Sequence, residues 1–327
     1  MPSSTRPRVS IGLPVYNGER YLAEAIESIL AQSFSNFELI ICDNRSTDKT
    51  PEICQKYASH DLRIRYFRND HNLGASPNYN RTFSLSNGDY FKWIAHDDVL
   101  TKDYLKKCLA ALEANPHAVL CQSLIQYIDT NGENLGIYDS RLHGTEAVQA
   151  SIRFAAITLL PHPCNEVFGL IRKNGLVKKD PMGTFHGGDR ALLAELALCG
   201  QFIQLREPLS KMRLHPARYT ESQTRPRDRM AWHDTQSRGK MHFPTWRLYR
   251  EYLTIVWTKT KSPGERLYCY GHLLRWWTCN WNWARMVVDV VAVFVPNATT
   301  YAERVKQRVF RPRPGAPDKK RDRTIFH

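Results

Sequence analysis

Four times in the first hundred residues an apolar run ends in a polar cluster, and this rhythm restricts the fold more than any other feature of the chain. Val9-Ser10-Ile11-Gly12-Leu13-Pro14-Val15 alternates apolar and small residues as a strand does, with Pro14 marking its end, and it stops at Tyr16-Asn17-Gly18. Phe37-Glu38-Leu39-Ile40-Ile41-Cys42 is nearly all apolar, the composition of a strand covered on both faces, and it stops at Asp43-Asn44. Residues 64–67 predict a third strand before the turn Asn72-Leu73-Gly74, and residues 90–95 a fourth before Asp97-Asp98. Between the strands, Leu22, Ala25, Ile26, Ile29 and Leu30 recur at helical spacing, with Asn17 placed to cap that helix. Thr50-Pro51 opens a second helix, proline suiting its first turn, and residues 76–86 predict a third with Tyr79, Phe83 and Leu85 inward. A helix from Thr101 and a strand over 119–128 continue the alternation. Strand and helix in turn predict an α/β domain with a mainly parallel sheet. Such sheets bind ligands beyond the carboxyl ends of their strands, so four polar clusters there predict one shared cleft.

Asp97 and Asp98 are the least expected of these residues on packing grounds. Adjacent carboxylates repel, and burying either one unpaired costs several kcal/mol, roughly. A hard divalent cation, Mg2+ or Mn2+, relieves both problems because carboxylate oxygen is its natural ligand. The competing reading is a solvated loop in which Asp98 caps the next helix. Neither GxGxxG after the first strand nor GxxxxGK[ST] occurs, which removes a dehydrogenase-type dinucleotide fold and the P-loop NTPases. A carboxylate metal site and an acid after the second strand together suit a nucleotide diphosphate.

The motifs Pro14-Val15-Tyr16-Asn17, Asp43-Asn44-Arg45-Ser46-Thr47-Asp48-Lys49-Thr50, Asn72-Leu73-Gly74 and Ala95-His96-Asp97-Asp98 resemble, in order and spacing, those of family-2 glycosyltransferases of the GT-A fold. The resemblance covers roughly the first two-thirds of the chain. It implies that Pro14 and Tyr16 line a nucleobase and ribose pocket with Asn17, Asn72 and Gly74 beside them, and that Asp43 binds the base. Asp97 then belongs to the DxD-type metal motif, with Asp98 as its neighbour. The family commonly has Asp where this chain has Ala95, which puts metal dependence in question. Asp189, in Gly187-Gly188-Asp189 at a helix start, stands where the family keeps its general base, although an acid there also complements a helix N-terminus. Arg213 and His215 lie in a segment resembling the family's closing stretch, facing the diphosphate or metal, and their alternation puts them on one face of a predicted strand. Pro163-Cys164-Asn165-Glu166 lies where acceptor loops sit in relatives.

The last third has a different character. Residues 1–225 hold 26 Lys+Arg against 24 Asp+Glu, whereas 226–327 hold 20 against 8 and seven of the eight Trp. The division expected is a GT-A catalytic domain over 1–225 and a basic, Trp-rich helical appendage over 226–327. Residues 286–295 form an apolar run too short to span a bilayer and interrupted by Asp289. Two readings stand for this region, contact with an anionic membrane surface or packing of its Trp onto the catalytic domain or a second subunit. Residues 304–323 read as a basic tail, yet no nucleic-acid reading module accompanies them, so no nucleic acid is expected as partner. The eight Cys form no CxxC or Cys/His cluster, which fits free thiols in a reducing compartment. The first eight residues lack the apolar run of a signal peptide, and a cytoplasmic protein is expected.

Taken with the resemblance, these features imply an inverting glycosyltransferase that uses a divalent metal and a nucleotide-diphosphate sugar, UDP-sugar being the commonest donor. Its acceptor would be a glycan or a lipid-linked molecule in surface polysaccharide synthesis. A catalytically inactive relative retained as a binding or scaffold protein is the alternative.

Overall fold

The computed structural model describes residues 6–175, 180–216, 232–235, 243–295, 298 and 301. The boundary expected after Arg225 and the basic stretch over 304–323 lie outside them.

The strands are β1 (Val9–Val15), β2 (Phe37–Asp43), β3 (Ile64–Arg68), β4 (Tyr90–Trp93), β5 (Val99–Leu100), β6 (Ala118–Ile128), β7 (Asn134–Tyr138), β8 (Leu170–Arg172) and β9 (Gln201–Arg213). They form one nine-stranded sheet in the order β3-β2-β1-β4-β8-β6-β9-β5, with β7 added on β6. The half that carries the four polar clusters, β3-β2-β1-β4, is wholly parallel, as expected. Beyond β4 the sheet is mixed: β8 runs antiparallel between β4 and β6, and β9 is parallel to β6 but antiparallel to β5.

Every residue of β1 and β2 is buried, which is why these strands read as continuous apolar runs. Pro14 lies inside β1 rather than ending it. The β1–β4 ladder closes with the Ile94 N–H donating to the Gly12 carbonyl, so the donor Pro14 lacks would have faced β4 just past that end.

The helices are α1 (Leu22–Leu30), α2 (Thr50–His60), α3 (Ala75–Ser84), α4 (Tyr104–Ala114), α5 (Ala150–Leu159), α6 (Gly188–Cys199), α7 (Pro244–Lys259), α8 (Pro263–Thr278) and α9 (Asn282–Phe294). One core cluster joins β1 and β2 to α1 and α4 through Ile11, Leu39, Ile26 and Leu105. A second holds Phe91 and Trp93 of β4 against Phe154 of α5 and Leu193 of α6, and Tyr252 of α7 and Leu273 of α8 enter it as well.

Helix α3 departs from its expected face. Its buried residues include Ser76, Asn78, Asn80 and Thr82 beside Phe83, and Leu85 lies beyond its end. The amides carry the packing: Asn78 donates to the Cys42 carbonyl at 2.8 Å, and Asn80 both donates to the Met182 carbonyl and accepts from the Met182 N–H, each at 2.8 Å. Thr82 sits so near β1 that a Cβ on Gly12 would meet its Oγ1 at 2.4 Å. Asn80 thereby ties the parallel half of the sheet to the loop that precedes α6.

Candidate active site

The loops that follow the parallel strands are laced together by side-chain to backbone hydrogen bonds. Asn17 does not cap α1, whose N-cap is Tyr21; instead its backbone adopts φ 52° and its Oδ1 accepts the Thr47 N–H at 2.9 Å. The N–H groups of Asn17 and Gly18 donate to Ser46 Oγ and Thr50 Oγ1, and that of Glu19 donates to Asp48. Burial alone would raise the Asp48 carboxyl, but hydrogen bonds from Thr50 and Glu19 outweigh it and hold the group below the usual carboxylate range. Asn44 extends the lattice, donating to Asn72 Oδ1 at 2.9 Å and to the Gly74 carbonyl at 3.1 Å. The sequence signature Asp43 to Thr50 is thus a set of caps and clasps between neighbouring loops.

Within this lattice Pro14 is buried and Tyr16 is 45% exposed at the cleft. Asp43, expected to face a base, is covered. Its Oδ1 accepts the Ser46 N–H at 2.8 Å, while its Oδ2 accepts the Tyr66 hydroxyl at 3.1 Å and pairs with Arg68 at 3.2 Å. Asn72 and Gly74 are crossed by the short segment 232–235: Thr235 Oγ1 donates to the Asn72 carbonyl at 3.1 Å, and a Cβ on Gly74 (φ 91°) would lie 2.9 Å from the Asp234 backbone. His233 of the same segment contacts Ser76, and its ring lies tilted 6.0 Å from that of His186.

At the end of β4 the two adjacent carboxylates part company. Asp97 Oδ2 lies 2.7 Å from His215 Nε2. Asp98 turns the other way: its Oδ1 accepts the Arg213 N–H at 3.1 Å, and the residue lines an inner cavity with Lys92. Asp97 thus meets His215 while Asp98 is committed to the end of β9, because β5 begins at Val99. Nor does Asp98 cap α4, which begins at Tyr104 behind Asp103.

Arg213 is also turned inward. Its guanidinium donates to the carbonyls of Asp97 and Asp129 and to Glu24 Oε2 at 2.6 Å, so it clamps the Asp97 turn rather than facing a ligand. Strand β9 ends at Arg213, so His215 lies beyond it, and both side chains contact the Tyr21 ring, at 4.5 Å and 5.3 Å from its centroid. Among the described residues the Tyr21 hydroxyl is buried without a hydrogen-bond partner. His96 packs against Gly18, and burial lowers its pKa.

Among the described residues no group of three His, Cys, Asp or Glu converges as a metal cage. Two ligands nonetheless suit Mg2+ or Mn2+, which take one or two protein groups and fill the rest with waters and phosphate oxygens. An octahedral ion with bonds of about 2.1 Å keeps adjacent ligands about 3 Å apart, close to the Asp97–His215 spacing. The residues fit such an ion.

Lys92 is the one charge in β4, and it is fully inside, donating to the Phe168 carbonyl and, at 3.3 Å, to the Tyr104 hydroxyl. Burial pushes its ammonium down to about 8. Asp98, Asn165 and Phe168 share with it a cavity of about 30 Å³, enough for about two waters. The unfolded chain binds the Lys92 proton up to about pH 10.4 and the folded chain only up to about 8, so wild-type stability rises as pH climbs through that window. Lys92→Met is accordingly expected to stabilise the fold at pH 7. The ammonium costs about 3 kcal/mol there, and leaving the Phe168 carbonyl with only the 3.4 Å bond from the Tyr104 hydroxyl returns about 1 kcal/mol of that gain. Urea unfolding at pH 7 and at about pH 9.5 checks it, with the advantage of the variant shrinking at the higher pH.

The 162–169 turn leads from this cavity to Asp189. Cys164 adopts φ 62°, and its thiol is held well above its ordinary pKa by burial and then by the nearby Asp189 carboxylate. Asp189 lies in the first turn of α6 behind the N-cap Gly187, and its Oδ1 accepts the Arg190 N–H at 2.7 Å. Arg190 in turn holds the carbonyls of Ile157 and His162. The Tyr252 phenol, raised by burial, belongs to the same group, and its hydroxyl has no hydrogen-bond partner among the described residues. Sequence reasoning passed over Tyr21, Glu24, Lys92 and Tyr252. Only Lys92 left a local trace, as a charge within an otherwise apolar run.

Comparison with known proteins follows the same outline. The glycosyl transferase family 2 profile matches residues 10–176. A putative glycosyltransferase EpsE of Bacillus subtilis is 43% identical over 112 residues, 34% of this chain and 40% of its own length. An uncharacterized glycosyltransferase of Haemophilus influenzae is 36% identical over 129 residues, 39% of this chain and 51% of its own. The chain thus spans about half or less of the length of these relatives. Among solved structures, S. aureus TarS 1–349 in complex with UDP-GlcNAc aligns at TM-score 0.58 and 19% identity over 83% of this chain and 73% of its own. Mannosyltransferase PcManGT from Pyrobaculum calidifontis, in complex with GDP-Man and Mn2+, aligns at 0.54 and 15% over 94% and 82%. The shared fold is the GT-A arrangement, and with more than half of its length matched by the family profile, the chain belongs to glycosyl transferase family 2.

Proposed function

We propose that this protein is an inverting glycosyltransferase that moves a sugar from a nucleotide-diphosphate sugar to an acceptor hydroxyl in the synthesis of a surface glycan or polysaccharide. The observation that carries the reading is the Asp97–His215 pair at the end of β4, 2.7 Å apart, in a chain of this family. The nucleotide would lie in the cleft over β1 and β2, against Pro14, Tyr16 and Asn17 and near Asn72 and Gly74, with a UDP-sugar as the expected donor. Asp43 would act beneath it, fixing the Ser46 turn and Arg68. Asp97 and His215 would hold Mn2+ or Mg2+, whose charge, when bound, offsets that of the departing diphosphate. His215 offers Nε2 in the tautomer that keeps its proton on Nδ1. Arg213 and Asp98 act as positioning residues for the Asp97 turn. Asp189 takes the proton of the acceptor hydroxyl as that oxygen attacks the anomeric carbon from the side opposite the diphosphate, which inverts the configuration. The Arg190 N–H, donating to Asp189 Oδ1, orients the carboxylate for that task.

Ala95 in place of the family's usual Asp favours a second reading, a catalytically inactive binding protein on the same fold. Calorimetric titration with UDP, GDP and dTDP, each with and without Mn2+, separates the two. The enzyme reading expects one nucleotide to bind with a metal-dependent Kd, followed by transfer from the corresponding sugar derivative. If no nucleotide binds in the presence of metal, the donor site assigned here is wrong.

A further inference from the structure

Helix α9 presents its polarity the wrong way round for a helix of a water-facing surface. Asn282, Met286 and Asp289, spaced four and three apart, are its buried residues. Its outward stripe is Trp283, Val287, Val290, Val291 and Phe294, exposed by 46%, 53%, 42%, 41% and 81%. Hydrogen bonds on the inner side fix this orientation. Asn282 Nδ2 donates to the Trp276 carbonyl at 2.8 Å, the Thr245 N–H donates to Asp289 Oδ2 at 2.8 Å, and Trp246 Nε1 donates to the Met286 carbonyl at 3.0 Å. Rolling the helix to hide its valines would break all three.

We propose that α9 docks on an anionic lipid bilayer, lying in the plane of the interface with this stripe in the acyl boundary. Thirteen residues reach roughly 20 Å, short of the roughly 30 Å hydrocarbon core, so the helix lies along the surface. No helix among the described residues is long and apolar enough to cross a membrane. Aromatic side chains of the kind that settle at headgroup depth cluster at its start: the Trp281 and Trp283 rings are 6.1 Å apart, and Trp277 meets Trp246 edge-on at 6.4 Å. Charge selects the lipid. Residues 243–295 carry seven Lys+Arg against three Asp+Glu, one of which, Asp289, is buried, and residues 296–327 add nine against three. A two-fold pairing of copies through this face would set those like charges opposite one another, which disfavours a second chain as the occupant. The inference is independent of the transfer chemistry proposed above.

The test is co-sedimentation of the full chain with phosphatidylcholine vesicles containing or lacking phosphatidylglycerol. Wild type is expected to pellet with the anionic vesicles, and Val287→Asp/Val291→Asp to lose on the order of tenfold in partition. Both positions face outward, so circular dichroism of the variant is expected to match wild type. Arg285→Glu is expected to weaken binding in a salt-dependent way. Equal binding by the double variant would overturn the proposal and leave the basic tail as the sole attachment. So would absence of wild-type binding, or a dimer in gel filtration that the double variant dissociates without any vesicle association.

Discussion

Asp189→Asn is expected to lower kcat for sugar transfer by about 10²–10⁴-fold while nucleotide affinity stays within about twofold. The substitution is isosteric and keeps an Oδ1 to accept the Arg190 N–H, so the first turn of α6 has no reason to move. What disappears is the ability to take a proton. Initial rates with the donor identified by titration, set beside calorimetry on the same preparation, separate loss of chemistry from loss of binding. A kcat within about tenfold of wild type would leave Asp189 as a first-turn acid that complements the helix dipole, a contribution of roughly 1 kcal/mol to stability.

Asp97→Asn is expected to act earlier, on the donor complex itself. Neutralising the carboxylate beside His215 removes the only anionic member of the proposed ion pocket, so Mn2+-dependent nucleotide affinity should fall by about 100-fold and kcat/KM by more. The amide can still hydrogen-bond His215, which keeps the turn intact. His215→Gln should cost less, about 10–100-fold in metal affinity, because the carboxylate stays. Asp98→Asn supplies the contrast. Asp98 accepts a backbone N–H from Arg213 and lies with Lys92 around the cavity, so its variant should lose stability ahead of metal affinity. Equal loss of Mn2+-dependent binding in the Asp97 and Asp98 variants would return both carboxylates to the ion.

The parts of this arrangement that were legible in the sequence are those that periodicity and strand ends report. Apolar runs located β1 to β4, and the polar clusters fall in the loops behind them, because a strand buried on both faces leaves its polar residues to the loops. Periodicity reports how apolar a face is, and it is silent on polar groups that are buried with partners. Asn78 and Asn80 therefore went unread on the inner side of α3, where amides meet backbone groups of β2 and of the loop before α6. The same limit hid the inward turn of Arg213, whose acceptors come from α1, the β4 end and the turn after β6. Asp97 and Asp98 looked alike in sequence, and only the start of β5 sends their side chains apart. Helix α9 fails the pattern in the opposite sense, since its apolar stripe points outward.

The partnership of Asp97 with His215 spans 118 positions of chain, and this has a consequence for synthesis on the ribosome. At about 5–20 residues per second, Asp97 is made about 6–24 s before His215 exists. The parallel strands β1 to β4 pair among themselves and are available to fold as they emerge. Strand β9 and the residues after it arrive last, so a nascent chain passes through this interval with its parallel strands paired and the Asp97–His215 contact not yet made.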